Sequence, residues 1–255
     1  MSHPALVFAG VSHRYIDGPA VIDDMNLTVD DGIYGVLGNN GVGKSTWLKL
    51  AAGMMPPKRG KVSICGIPSS DGAAREKTAI LPESLALEGR LTGREFLEFA
   101  ADIRGVVDGP TVVSGLLERL GIDDRADQLM EGLSFGSRRK VGLAAAFLSD
   151  APVLLLDEPG NGLDVAGLQV VEAMIRERRD AGVCVVLSSH DMAFVARSCE
   201  KVLVMLGAGR VLESTPAALM EQTGQTDLHH AFSALVEANV ATGANAASAA
   251  NKVTA

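Results

Sequence analysis

Long hydrophobic runs, paired cysteines and an excess of basic charge are all missing from this 255-residue chain. No apolar run approaches the ~20 residues that a membrane span requires. The best candidates, Val153–Leu156 and Val183–Leu187, have the length of buried strands. Cys65, Cys184 and Cys199 stand far apart with no CxxC pair, which leaves neither a disulfide framework nor a zinc site. A reduced, cytoplasmic setting is the expectation. Met1-Ser2-His3-Pro4 lacks the basic-then-apolar form of a signal peptide, so none is expected. There are 23 basic against 31 acidic residues, a formal net charge of -8. Nucleic-acid phosphates and acidic lipids both select basic surfaces. Bulk nucleic-acid binding and a direct lipid anchor are therefore not expected, and any membrane attachment must run through a protein partner.

Aliphatic residues are abundant: 47% of the chain is hydrophobic and only 4% aromatic, ample for a core in one large domain or two small ones. Short apolar runs alternate with longer amphipathic stretches, the rhythm of βαβ units around a parallel sheet. Strands are expected near Ala5–Phe8, Ile33–Leu37, Val62–Cys65, Thr78–Leu81, Val153–Asp157, Val183–Ser188 and Lys201–Met205. Val153-Leu154-Leu155-Leu156 is apolar on both parities, so both faces of that strand should be covered by other layers. Helices are expected after Gly43 and near Val165–Arg179. Between about residues 84 and 150 the strand signals stop. Thr92-Gly93-Arg94-Glu95 has the form of a capping box, Phe96, Phe99, Ala100 and Ile103 recur at helical spacing, and Thr111–Leu120 and Arg138–Leu148 look helical. A helical insertion into an α/β core is inferred. Leu228, Ala231, Phe232, Leu235 and Val236 mark a short amphipathic helix, in which His229 and His230 are read as ordinary surface or structural histidines. Residues 241–255 carry too little bulky apolar material to offset their ordering entropy, and disorder is expected there.

Gly38-Asn39-Asn40-Gly41-Val42-Gly43-Lys44-Ser45 satisfies G-x-x-x-x-G-K-[ST] in full, with Thr46 next in the chain. Glycines let the backbone curl so that its N–H groups point into a concave nest for phosphate oxygens. The helix after the loop aims its positive end at the same place. Lys44 is expected to reach the β- and γ-phosphates, and the Ser45 hydroxyl to bind Mg²⁺. The competing reading, a plain glycine-rich turn, is disfavoured by the strand before the motif and the helix signal after it.

Val153–Leu156 ends in adjacent acids, Asp157 and Glu158. Two carboxylates closing a dry strand cost desolvation unless compensated, and Mg²⁺ is the obvious compensator. Asp157 fits the Mg²⁺ role, and Glu158 is placed to orient and polarise an attacking water. The bland alternative is a strand that simply exits into solvent at Asp157.

Taken together, these pieces resemble the nucleotide-binding subunit of an ATP-binding cassette (ABC) transporter, over about residues 4 to 235. Leu133-Ser134-Phe135-Gly136-Ser137 resembles the family's signature loop. Gly160-Asn161-Gly162-Leu163-Asp164 is similar to its D-loop. Ser188-Ser189-His190-Asp191 resembles its switch-histidine motif, and Ile80-Leu81-Pro82-Glu83 its Q-loop. Tyr15 lies where the family stacks an aromatic on adenine; alternatively it is an ordinary strand-end aromatic.

The resemblance implies an α/β P-loop core with a mostly parallel sheet, an N-terminal antiparallel β part and a helical subdomain over about 84–150, all within an ATPase domain of residues 1–235. It implies ATP and Mg²⁺ as ligands, with Glu83 joining Ser45 and Asp157 around the metal. It implies a head-to-tail homodimer, or a heterodimer with a similar ATPase. There Ser134 and the Gly136 backbone reach the γ-phosphate held by the other subunit's Lys44, Asp164 links the half-sites, and His190 contacts the γ-phosphate. The subunit is expected at the inner face of the cell membrane, bound to a separate integral membrane permease, with export favoured. Phe135 and Ser137 replace a glycine and a glutamine of the signature pattern, and Glu83 replaces the Q-loop glutamine; Ser134 and Gly136 are retained. The alternative, a soluble ABC-type ATPase acting on ribosomes or nucleic acid, is disfavoured by the single cassette and the acidity.

Overall fold

A computed structural model describes residues 3–16, 18–84, 90–207 and 209–239. The expected disordered tail, 241–255, lies outside the described residues, as do 85–89 at the start of the helical insertion.

Two sheets form. The first is antiparallel, in the order β2(Ala20–Val29)-β1(Leu6–Arg14)-β4(Arg59–Ile64)-β5(Ile67–Pro68). The second has the order β10(Val211–Ser214)-β9(Lys201–Met205)-β3(Ile33–Leu37)-β8(Cys184–Ser188)-β7(Val153–Asp157)-β6(Thr78–Leu81). It is parallel throughout except at β10.

All five residues of β3, β7 and β8 are buried, because layers cover both faces of the second sheet. Alternate residues point opposite ways along a strand. Leu154, Leu156, Val185 and Leu187 thus pack into one core with the helices of the insertion. Val153, Leu155 and Val186 pack into another with α1(Lys44–Ala51) and the antiparallel sheet. In that second core Trp47 stacks on Phe8 at 5.1 Å between centroids, each ring contributing roughly 2 kcal/mol by burial.

The seven expected strands are present, three of them with shifted ends, and three more appear: β2, β5 and β10. β2 escapes a period-two reading because its buried residues, Ile22, Met25 and Val29, fall at spacings of three and four. Its pairing with β1 shifts register at bulges, and Asp24 has φ 48°, so the side-chain alternation is broken.

α2(Gly72–Glu76) precedes β6, and between β6 and β7 lie α3(Gly93–Arg104), α4(Gly109–Arg119) and α5(Phe135–Phe147). α3 opens with the expected capping box: the Thr92 side chain accepts from Glu95 N–H at 3.1 Å and the Glu95 carboxylate accepts from Thr92 N–H at 2.8 Å. Its apolar stripe is corrected. Leu97 and Ala101 are the residues buried in the core, whereas Phe99 and Ile103 are exposed and Phe96 and Ala100 only partly covered. Helical spacing identifies a stripe without deciding which edge of it faces inward. After β7 come α6(Val165–Asp180) and α7(Met192–Ser198), and after β10 come α8(Pro216–Thr223) and a helix over 228–239.

Candidate active site

β3, β8, β7 and β6 are neighbours in the sheet and run the same way. Their C-terminal ends therefore emerge at one edge, the position where open α/β sheets hold their ligands. β3 leads into the Gly38–Gly43 loop, β8 into Ser189-His190, β7 into Glu158 and β6 into Pro82-Glu83. A cleft of about 600 Å³ at this edge is lined by Tyr15, Asn40, Gly41, Gly43, Lys44, Ser45, Thr46, Glu83, Asp157, Glu158 and His190, joined by Val21 of β2.

The loop folds as its glycines permit. Gly41 has φ 78° and Gly43 φ 112°, conformations that L side chains rarely adopt. A Cβ on Gly43 would lie 2.6 Å from Val21 Cγ1. Gly43 begins α1 with no side-chain cap, so the first-turn N–H donors are left for a ligand. Lys44 Nζ donates to the Gly38 carbonyl at 2.7 Å and lies 3.5 Å from that of Asn39. Burial pulls its pKa down, opposed by the negative charges of Glu158, Asp157 and Glu83. Asn39 and Val42 shape the loop: Val42 N–H donates to the Asn39 carbonyl at 3.2 Å. Tyr15 Oη and Thr46 Oγ1 are 3.0 Å apart, and the His13 ring meets the Tyr15 ring edge-on.

Across the cleft, Asp157 is buried and accepts from the Ser188 hydroxyl at 2.5 Å. Glu158 has φ 54°, a strained conformation for a residue with a side chain. Its N–H donates to the carbonyl and the hydroxyl oxygen of Ser188, both at 3.1 Å. Its carboxylate accepts from His190 N–H at 3.2 Å, and His190 Nε2 approaches Oε1 at 3.4 Å without making a hydrogen bond. Burial raises the Glu158 pKa above the ordinary carboxylate value; His190 works in the opposite direction. A half-buried carboxylate with an unbonded oxygen, poised closer to neutrality, suits a group that accepts a proton from water.

Ser45 hydroxyl and the carboxylates of Asp157 and Glu83 line this one cleft. Hard oxygens, few in number and with room for phosphate oxygens and water, are the donor set that Mg²⁺ takes. The residues fit that ion.

Six expected site residues do not line the cleft: Gly38, Asn39 and Val42 belong to the loop itself, whereas Ser134, Gly136 and Asp164 lie elsewhere. Ser134 caps α5, its hydroxyl accepting from Ser137 N–H at 3.1 Å. Asp164 caps α6, accepting from Gly167 N–H at 2.8 Å. Gly136 packs against the D-loop, where a Cβ on it would lie 2.4 Å from the Gly162 carbonyl oxygen. The Phe135-Gly136 turn and the Gly160–Asp164 loop thus touch each other.

Two residues went unassigned in the sequence. Ser188 bonds both acids; a serine closing the apolar run Val183–Leu187 was its signal. Arg139 is buried beneath the cleft, and nothing in Arg138-Arg139-Lys140 distinguishes it from its half-buried neighbours.

The sheet, the glycine loop and the paired acids define a phosphate-loop nucleoside triphosphatase. The chain belongs to the ABC transporter family: the family's model matches residues 22–161. It is 33% identical over 226 residues to the Nod factor export ATP-binding protein I of Burkholderia pseudomallei (strain K96243), covering 87% of this chain and 74% of that protein. A solved ATP-binding subunit of an ABC transporter superposes with TM-score 0.82 at 29% identity, over 89% of this chain and 98% of that one. A dimeric ATP-binding cassette in a post-hydrolysis state with ADP and Pi has the same fold, at TM-score 0.75, 21% identity, 82% and 98% coverage. This is an ATP-binding, ATP-hydrolysing subunit of an ABC transporter.

Proposed function

We propose that this subunit powers export through a separate membrane permease by closing on a second ATPase subunit when ATP is bound and opening after hydrolysis. The observation that carries the reading is the single cleft in which Lys44, Glu83, Asp157, Glu158 and His190 meet the phosphate loop. Lys44 and the loop N–H groups hold the triphosphate, and the Tyr15 ring takes the adenine. Ser45, Asp157 and Glu83 hold Mg²⁺, which supplies charge neutralisation at the phosphates. Glu158 orients a water toward the γ-phosphorus and takes its proton as the bond to the β-phosphate oxygen breaks, giving ADP and inorganic phosphate. His190 holds the γ-phosphate.

Ser134 and Gly136 lie outside the cleft of their own chain, which fits a role at the nucleotide of a neighbour. Two such half-sites close only when a triphosphate bridges them, and Asp164 joins them across the interface. Among the described residues no helix is long and apolar enough to cross a membrane, which fits a peripheral subunit at the inner face. The groove between the insertion helices and the Glu83 loop is the surface offered to the permease, and the ATPase domain runs over residues 1–235. The export protein among the relatives supports that direction.

The test is the mass of the Glu158→Gln variant by light scattering with and without ATP. A dimer only with ATP is expected. A monomer in saturating ATP would overturn the clamp, and recovery of no polytopic protein by pull-down from membranes would overturn the permease.

A further inference from the structure

Arg139 sits on α5, and among the described residues it is the one lysine or arginine that is buried, at 2% exposure. Among the described residues its guanidinium makes no ion pair with a carboxylate side chain, and its bonds go to backbone carbonyls of two separate segments. Nη1 donates to Pro82 at 2.7 Å and Glu83 at 3.2 Å, and Nη2 donates to Asp157 and to Glu158, the latter at 2.7 Å. Burial of the cation pulls its pKa down, while the negative charges of Asp157, Glu158 and Glu83 hold it up.

A buried cation that bonds only main chain among the described residues, and whose Nε has no partner among them, is costly to keep, and a well-packed apolar residue often replaces such a group without loss. What the guanidinium supplies that an apolar side chain cannot is a fork of rigid geometry, gripping two strand ends at once. Those ends carry Glu83 and Glu158. The fork is rooted on the helix that Ser134 caps and Phe135-Gly136 begin. Glu158 is also the residue whose backbone is strained, at φ 54°. Such a conformation persists only where the surroundings over-determine it. Ser188 holds the amide side of Glu158 and Arg139 holds its carbonyl side.

We infer that Arg139 is a positioning residue that fixes the backbones of Glu158 and Glu83 relative to α5, so that displacement of the Ser134–Gly136 turn is passed to the hydrolytic carboxylate. It is not among the residues lining the phosphate-loop cleft; it acts through Glu158. The inference rests on the reading of Glu158 as the group that orients water.

Steady-state ATP hydrolysis by Arg139→Lys and Arg139→Met tests it, with thermal melts and fluorescent-nucleotide titration on the same samples and Glu158→Gln as the control. The folded variants should lose on the order of tenfold to a hundredfold in kcat, the scale of a small misplacement of a catalytic group, with KM for ATP within about threefold of wild type. In Arg139→Ala, ethylguanidinium added at millimolar concentration should restore part of the lost kcat while leaving wild type unchanged. Should Arg139→Met not fold, Arg139→Lys decides, since it keeps the charge and the stem. Wild-type kcat in folded Arg139→Lys, or a loss that appears only as raised KM, overturns the proposal. If Glu158→Gln turns over like wild type, the reading of Glu158 fails instead, whatever the Arg139 variants do.

Discussion

The Ser188 hydroxyl donates to Asp157 Oδ1 at 2.5 Å, and the same oxygen accepts from the Glu158 N–H at 3.1 Å. One side chain at the end of β8 therefore sets the two acids that end β7. Because the site is built at the junction of neighbouring parallel strands, packing of the sheet and alignment of the acids are one property.

Ser188→Ala should therefore harm both stability and turnover. It removes a partner from a buried carboxylate and from the strained Glu158 amide, a loss of about 1–3 kcal/mol. Denaturant melts should show that loss, and kcat should fall more than nucleotide affinity. Unchanged melting would mean that the bond contributes nothing net.

Glu158→Gln should bind ATP with near wild-type affinity while hydrolysing it at least about a hundredfold more slowly, since the side chain keeps its size and loses its ability to accept a proton. Phosphate release and nucleotide titration on one preparation check both halves.

The same variant should be more stable than wild type at neutral pH. The folded-state pKa of Glu158 is raised by burial above the ordinary value of 4.5. Between these two values the folded chain binds more protons than the unfolded one, so the contribution of Glu158 to stability is greatest below the ordinary value. It is lost as pH rises through the folded value. The melting-temperature advantage of Glu158→Gln should thus be present at pH 7–8 and disappear near pH 4. An advantage independent of pH would sink this account.

For the same reason, the acid limb of the pH profile of kcat/KM, which reports the free enzyme, should lie above the ordinary carboxylate range, with activity lost as Glu158 becomes protonated. In Glu158→Gln that limb should be absent from whatever rate remains.

Lys44→Ala should weaken ATP binding by about tenfold or more, equivalent to at least ~1.4 kcal/mol, by removing a phosphate-facing charge from a partly desolvated cleft. Its melting temperature should not fall, because Nζ is half-buried at a cost and bonds only loop carbonyls. Equal nucleotide affinity in the two proteins would contradict the contact.

The phosphate loop and the acid pair were legible in the sequence because their chemistry is local. A loop that must present its own N–H groups needs glycine at fixed spacing, and Gly41 and Gly43 occupy the left-handed region that makes them necessary. A strand dry on both faces announces itself in Val153–Leu156, and the two cores on either side of β7 are the consequence. The capping box at Thr92 is local too. Relationships between distant segments left no such mark. The bulges that bend β2 arise from pairing with β1, and they erase the alternation by which a strand is recognised. Which edge of the α3 stripe faces inward depends on how α4 and α5 pack against it. The burial of Arg139, alone among three consecutive basic residues, depends on Pro82 and Asp157 converging from distant points of the chain on either side. Local chemistry is written in residue types and spacing; the partners of a buried polar group are set only when the chain closes around it, because only then does water leave and its bonds must be found elsewhere.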